Sequence, residues 1–347
     1  MKKNLLGYTL PKLTEEFLGL NQSKFRAKQV FGWIYGKKVF DFEAMTDVSK
    51  DFRAVLKDAY CVSLPTIYTK QEGSDGTIKV LLEMEDGAKV ESVLMPYNYG
   101  DAICVSSQVG CNMGCAFCAS GLLRKERNLT TAEMVGEVLV MNSLLAPLGR
   151  HVTHIDVMGT GEPFDNYDNV IRFLRLVSSE DSLNIGMRHI TVSTCGIVPR
   201  IYDFADLQLQ TGLSISLHAP DDESRSRTMP VNRRYPIAEV MKSARYYVDK
   251  THRRITFEYA LIDGENDSDA TAYKLATLLK GLLCHVNLIP VNNVTGAGYK
   301  KSSLKRQQAF ADILSKAGVN ATVRRTLGSD IDASCGQLKR NFTKGDV

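Results

Sequence analysis

The stretch Ile103-Cys104-Val105-Ser106-Ser107-Gln108-Val109-Gly110-Cys111-Asn112-Met113-Gly114-Cys115-Ala116-Phe117-Cys118 decides how this chain folds. Its first five residues form a strand candidate, Ile103–Ser107. The chain then runs through Gly110 into a loop with three cysteines spaced C-x3-C-x2-C. Downstream of that loop, strand and helix patterns alternate. Strand candidates are Val152–Met158, His189–Thr194, Thr211–Leu217, Ile255–Leu261, His285–Pro290 and Ala321–Arg325. One helix opens with the capping box Thr130-Thr131-Ala132-Glu133. Others span Asn166–Ser179, Ile237–Lys250, Ala270–Leu283 and Ser303–Ala317. This alternation predicts an α/β fold, with parallel strands covered by helices. Reactive residues in such sheets and barrels gather at the carboxyl ends of strands. The cysteine loop follows the first strand of the series directly.

Upstream, the pattern differs. Residues 10–56 carry short helical patterns such as Lys24-Phe25-Arg26-Ala27-Lys28-Gln29-Val30-Phe31. Ile67 to Pro96 predicts a hairpin, with Thr77–Met84 and Lys89–Leu94 joined by the turn Glu85-Asp86-Gly87-Ala88. The 347 residues are 44% hydrophobic and 24% charged, which excludes disorder, collagen and coiled coil. A net charge of +4 permits a nucleic-acid partner without demanding one. No run approaches the roughly 18 apolar residues of a membrane span, and the richest, Met134–Leu148, carries Glu137 and Pro147. With no secretory signal at Met1-Lys2-Lys3-Asn4-Leu5-Leu6, the expectation is a cytoplasmic protein with reduced thiols. Clustered cysteines then point to a metal or to catalysis rather than to disulfides.

Structural zinc takes four ligands, often as paired C-x2-C knuckles. No second pair and no H-x3-H lies near Cys111, Cys115 and Cys118. Three thiolates in one loop suit a [4Fe–4S] cluster with one iron left open for a ligand such as S-adenosylmethionine. A zinc site completed by a His or a distant Cys, in a non-enzymatic RNA-binding module, remains the alternative.

With Phe117 just before its last cysteine, this loop resembles the radical-SAM signature. Five further blocks follow in order: Cys104–Cys111, Gly159-Thr160-Gly161-Glu162-Pro163, Ser216-Leu217-His218-Ala219-Pro220, Met229-Pro230-Val231-Asn232 and Asp330–Leu338. Together they resemble the RlmN/Cfr family of radical-SAM RNA methyltransferases, over about residues 17–338. Thr160 departs from the family, where a hydrophobic residue is common. The resemblance implies a partial (β/α)6 barrel with a small N-terminal helical accessory domain and a β-hairpin. The expected divisions are an RNA-docking domain with the hairpin at 1–97, a radical-SAM core at 98–330 and a C-terminal segment at 331–347.

The resemblance also implies roles. Carbon 2 of adenine is too electron-poor to attack a methyl sulfonium. A first S-adenosylmethionine therefore methylates Cys335, and a second yields the radical that takes a hydrogen from that S-methyl group. The S–CH2 radical adds to the ring and ties enzyme to RNA. Cys104 then releases the product through a transient disulfide with Cys335, and Glu91 occupies the proton-acceptor position. Whether Glu91 or Cys104 takes the ring proton is open at this stage. S-adenosylmethionine contacts map to Gly161, Glu162, Ser193, Ser216, Leu217, His218 and Asn292. The implied substrates are 23S ribosomal RNA at the peptidyl-transferase centre and transfer RNA next to the anticodon, with a cytosolic electron donor such as flavodoxin or ferredoxin. Membranes are not implied, and no oligomeric state is indicated. Arg124, Lys125, Arg127, Arg225, Arg227, Arg233, Arg234, Arg324 and Arg325 are candidate phosphate contacts or solvated charges. Cfr-type carbon-8 methylation with the same cysteines is the nearest alternative. Pro163 argues for the carbon-2 branch, because Cfr-type sequences carry Ala there.

Overall fold

The computed structural model describes residues 2–291 and 298–333. The short parallel strands β1 (Lys3–Asn4) and β2 (Tyr60–Cys61) bracket α1 (Leu10–Gly19), α2 (Lys24–Phe31) and α3 (Lys50–Ala59). Thr9 caps α1 by accepting the Lys12 N–H, and Pro11 sits in the first turn, where no intrahelical donor is needed. Phe17 of α1 meets Phe52 of α3 edge-on at 5.0 Å, which closes the core of this unit.

β3 (Thr66–Glu72), β4 (Ile78–Glu83) and β5 (Lys89–Tyr97) form an antiparallel meander that continues into β6 (Gly100–Cys104). The turn at Glu85–Ala88 falls where the sequence placed it, with Gly87 at φ +81°. β7 (Gln108–Val109) and β8 (Arg127–Asn128) pair antiparallel and form the neck of the cysteine loop. Then follow α4 (Thr131–Leu145), β9 (Val152–Val157), α5 (Tyr167–Val177), β10 (Ile190–Thr194) and α6 (Val198–Asp206). After these come β11 (Gly212–Ser216), α7 (Asp222–Thr228), α8 (Ile237–Thr251), β12 (Ile255–Leu261), α9 (Asp269–Leu279), β13 (Cys284–Pro290), α10 (Leu304–Lys316) and β14 (Ala321–Val323).

One sheet runs in the order β14-β13-β12-β11-β10-β9-β6-β5-β4-β3. From β6 to β14 every neighbouring pair is parallel; from β6 to β3 every pair is antiparallel. The radical-SAM α/β fold is thus present, with six strands of at least five residues and the three-residue β14 at the edge. The hairpin expected from Ile67–Pro96 is hydrogen-bonded into this same sheet. Register aligns Cys104 with Asp156, and Ser216 with Glu258. The first strand starts and stops earlier than the expected Ile103–Ser107. Past Cys104 the chain peels away, with Ser107 N–H donating to Thr160 O at 2.9 Å. The sequence reading did not name α6, whose signal is Pro199 in its first turn.

The capping box at Thr130 forms as expected, with Glu133 Oε2 accepting the Thr130 N–H at 2.7 Å. α4 is buried nearly all round, because the sheet covers one side and the N-terminal segment the other. A Cβ on Gly136 would lie 2.4 Å from Pro65 Cδ, and one on Gly7 would lie 3.0 Å from Ala132 N. The apolar run Met134–Leu148 is therefore a core helix, and among the described residues no helix is long and apolar enough to cross a membrane.

Glu137 lies inside this packing, fully buried, with Oε2 accepting the Ser106 N–H at 3.0 Å. Burial pushes its carboxyl well above the ordinary range. The folded protein then holds a proton that the unfolded chain releases above about pH 4.5, so stability falls as pH rises past that point. Glu137→Gln removes the linkage. Against wild type it should gain up to about 1.4 kcal/mol per pH unit on going from pH 4.5 toward neutrality, read from urea midpoints across that range.

Candidate active site

The cysteine loop is held by its own main chain. Cys111 N–H donates to Leu123 O at 3.0 Å, Cys118 N–H to Cys115 O at 3.2 Å and Gly121 N–H to Cys118 O at 3.0 Å. Gly110, at φ +75°, lets the two limbs of the loop cross; a Cβ there would sit 2.2 Å from Arg124 O. Two contacts fasten the loop over the sheet. Ala116 N–H donates to Thr228 O at 2.9 Å, at the end of α7. The Phe117 ring meets His218 edge-on at 4.6 Å, just past β11.

Burial is the main force on two of these thiols, Cys111 and Cys115. It pushes Cys111 up to about 12, reinforced by the nearby charges of Glu162, Cys118 and Asp165. Burial, then Cys118, Cys111 and Glu162, also raise Cys115. Cys111 and Cys115, raised in this way, ionise readily only with positive charge placed beside them. An iron–sulfur cluster supplies that charge. The donor set therefore fits a [4Fe–4S] cluster bound by Cys111, Cys115 and Cys118.

The expected S-adenosylmethionine residues line the strand ends beneath the loop. Gly161 has φ +114°, and a Cβ on it would lie 2.7 Å from both Gln108 Cβ and Ser107 Oγ, so glycine is obligatory. Glu162 is buried, and its carboxylate accepts Phe164 N–H at 3.0 Å and Cys195 N–H at 2.7 Å. These bonds tie the end of β9 to the end of β10, and Glu162 faces the thiols closely enough to raise them. Thr160 acts through its main chain: its carbonyl accepts from Ser107 and Gln108, so its departure from the family pattern leaves the turn intact. Ser193 and Ser216 are half-buried at the ends of β10 and β11. Leu217 N–H donates to Glu258 O at 3.0 Å. His218 is buried at φ +58°; its Nδ1 accepts Ala260 N–H at 2.8 Å, and its carbonyl accepts from Asn266 at 2.9 Å. Burial drives its pKa down to about 3, so the ring is neutral with the proton on Nε2. Asn292 and Cys335 lie outside the described residues.

Cys104 and Glu91 sit one and two strands away. Cys104 ends β6 beside Asp156 and packs against a small apolar cluster of Val93, Met95, Ala102, Leu327 and Ala333. Glu91 is 5% exposed on β5, with Oε1 3.5 Å from Lys79 Nζ. It lines two cavities of about 240 and 270 Å³, one shared with Val109, Gly110 and Thr160, the other with Asp330, Ile331 and Asp332. Ala333, the last described residue of the C-terminal segment, thus reaches the neighbourhood of Cys104 and Glu91.

The basic candidates divide. Arg225 is fully buried and spends all five N–H groups. Nε donates to Leu217 O at 3.2 Å, Nη1 to Asn232 Oδ1 at 3.0 Å and Tyr235 O at 3.3 Å, and Nη2 to Cys195 O at 2.7 Å and Ser216 O at 3.1 Å. It is a clamp on the strand ends and is removed from the phosphate candidates. Arg324 faces the half-buried Asp156 and the buried Glu258, whose carboxyls it draws down against the larger effect of burial. Lys125 pairs with Asp165 at 2.6 Å, and Arg127 with Asp86 and Glu133 at 2.7 Å each. The sequence reading missed the clamp and the acids facing Arg324. Strand alternation, which puts Asp156 and Glu258 on the polar face of β9 and β12, was the available signal.

Arg225 yields a direct check. Each buried acceptor it leaves unpaired costs about 1–3 kcal/mol. Arg225→Ala and Arg225→Lys should therefore each lose more than about 3 kcal/mol in urea unfolding, because a lysine cannot reach five acceptors from one nitrogen. A phosphate contact would instead lose RNA affinity with stability unmoved.

Comparison with known proteins places this geometry. Residues 105–276 match the radical SAM superfamily, and residues 3–62 match the ribosomal RNA large subunit methyltransferase N-terminal domain. The chain is 52% identical over 342 residues to the probable dual-specificity RNA methyltransferase RlmN of Thermoanaerobacter sp. (strain X514), covering 98% of this chain and 99% of that protein. It is 50% identical over 343 residues to the protein of the same description from Clostridium perfringens (strain 13 / Type A), covering 99% and 98%. The crystal structure of a radical SAM methyltransferase from Sphaerobacter thermophilus superposes with a TM-score of 0.93 at 46% identity, over 97% of this chain and 99% of that one.

Proposed function

This chain belongs to the RlmN family of radical-SAM RNA methyltransferases, and from that premise we propose that it methylates carbon 2 of adenosine in 23S ribosomal RNA and in transfer RNA. The observation that carries the reading is one juxtaposition. A half-buried three-cysteine loop stands over the strand ends, and Cys104, Glu91 and residues 330–333 of the C-terminal segment meet on the adjoining strands β5 and β6. When bound, the cluster and two successive molecules of S-adenosylmethionine supply the methyl group and the radical that abstracts hydrogen.

The residues carry the rest. Cys111, Cys115 and Cys118 hold the cluster. Glu162 offers a carboxylate to the methionine ammonium; Gly161 leaves room for the ligand's close approach. Ser193, Ser216, Leu217 and His218 line the same mouth, and Asn292, outside the described residues, is assigned by family likeness alone. Cys335 carries the methyl group as S–CH3, and its S–CH2 adds to the ring. Glu91, dry and beside an ammonium, is suited to accept the ring proton. Cys104 attacks the Cys335 sulfur as a thiolate, so the new S–S bond replaces the S–C bond; the released carbon takes a proton to become the methyl group, and the adduct's one unpaired electron would return to the cluster. A reductant such as flavodoxin or ferredoxin restores both thiols. The target base must leave its stack to reach this mouth. The N-terminal part, residues 1–97 with α1–α3, is the candidate RNA-docking element, acting by shape because its basic and acidic residues nearly cancel. The chemistry needs reduced thiols, which favours the cytoplasm.

The deciding experiment is anaerobic reconstitution, metal analysis and mass spectrometry of nucleosides from treated RNA. About four irons per chain and 2-methyladenosine are expected. Zinc in place of iron, or 8-methyladenosine, would overturn the reading. Cys335→Ala should keep its iron and form no product. Cys104→Ala should leave protein covalently attached to RNA on a denaturing gel, and its absence there would remove Cys104 from the release step.

A further inference from the structure

Lys79 stands on β4 opposite Val93, and Glu91 stands on β5 opposite Leu81. The two are diagonal neighbours on one face, a separation a long side chain spans easily. Lys79 Nζ lies 3.5 Å from Glu91 Oε1, with side chains only 11% and 6% exposed. The same nitrogen donates to the main-chain carbonyl of Asp332 at 3.3 Å. Asp332 is three residues before Cys335 in the chain. One ammonium therefore touches both the candidate base and the segment that delivers the methyl-carrying thiol.

That segment is docked on the same hairpin by independent contacts. Asp75 Oδ2 accepts Gly328 N–H at 2.9 Å, and Asp330 Oδ2 accepts Ser74 N–H at 2.8 Å. Ala333 N–H closes back on Gly328 O at 2.9 Å. Leu327 and Ala333 pack on Val93. An exposed ion pair would contribute little. This one is nearly dry, and its second bond crosses about 250 residues of sequence.

We propose that Lys79 is a positioning residue for release of the methylated RNA. It holds the Glu91 carboxylate in place and aimed at the ring, and it pins residues 328–333, the stretch that leads to Cys335, against the same strands. In the step it serves, the ring C–H bond breaks, its electron pair stays on the ring, and the proton forms an O–H bond on Glu91. The inference rests on the roles given above to Glu91 and Cys335.

The test compares Lys79→Met and Lys79→Arg with wild type in the reconstituted enzyme. Three readouts are followed: methyl loading of Cys335 by intact mass without RNA, protein–RNA adduct on a denaturing gel, and methylated nucleoside. A reacting group that loses its positioning partner costs on the order of tenfold or more in rate. Lys79→Met should therefore load Cys335 within about twofold of wild type, make product about tenfold more slowly and accumulate adduct. Lys79→Arg, which keeps the charge, should restore most of the rate. Hydrogen exchange across residues 328–333 should rise in Lys79→Met even without cluster or substrate. Wild-type turnover in Lys79→Met overturns the proposal. So does equal loss of loading and product without rescue by arginine, which is what a merely structural lysine would give. Glu91→Gln separates the layers: full activity there removes the base assignment itself, whereas an impaired Glu91→Gln beside an unimpaired Lys79→Met removes only the lysine.

Discussion

The mouth of this barrel depends on one buried guanidinium. Arg225 bonds to the carbonyls of Cys195, Ser216, Leu217 and Tyr235 and to the Asn232 side chain. Parallel strands end in carbonyls that point away from the ladder, and water would have to satisfy them if protein did not. Arg225 satisfies them from inside and so keeps water out. It sits close enough to Cys195 and Cys115 to feel their charge. The clamp therefore sets the spacing between the two strand ends and the cysteine loop above them.

Around the clamp, main-chain groups meet side-chain acceptors in a chain of dependences. Glu162 receives the Cys195 amide, Gln108 receives the Glu162 amide, and Gln108 in turn donates to Asp165 and Asn128 at the neck of the cysteine loop. His218 tolerates a left-handed backbone because both its ring nitrogen and its carbonyl are bonded. A ligand entering here meets preset polar groups, which lowers the entropy lost on binding.

The second half of the chemistry is built on a different part of the same sheet. Because β3–β5 continue the barrel through β6, Glu91 and Cys104 are placed by strand register relative to β9. The hairpin also receives the C-terminal segment. Residues 328–333 are thus laid beside Glu91 and Cys104, both of which are fixed in the sheet. On the proposed assignment, radical generation at the strand ends and product release at the hairpin are adjacent without sharing residues.

The local features were legible in the sequence. Alternating periodicities placed the parallel strands to within a few residues, and Thr130 and Glu133 marked the start of α4. The cysteine spacing singled out the loop between β7 and β8, and the ordered blocks marked the family. These signals are short-range, set by backbone geometry and neighbouring side chains. What the sequence could not show depends on burial and on contacts between distant positions. Arg225 looks like any basic residue until its five donors are counted in space. Glu137 looks like an interruption in an apolar helix until the Ser106 amide appears beside it. Lys79 looks like a strand surface charge until the chain returns, about 250 residues later, to lay Asp332 against it. Desolvation and long-range contact exist only in the folded chain, so the tertiary structure alone decided which charges became scaffold and which stayed near the chemistry.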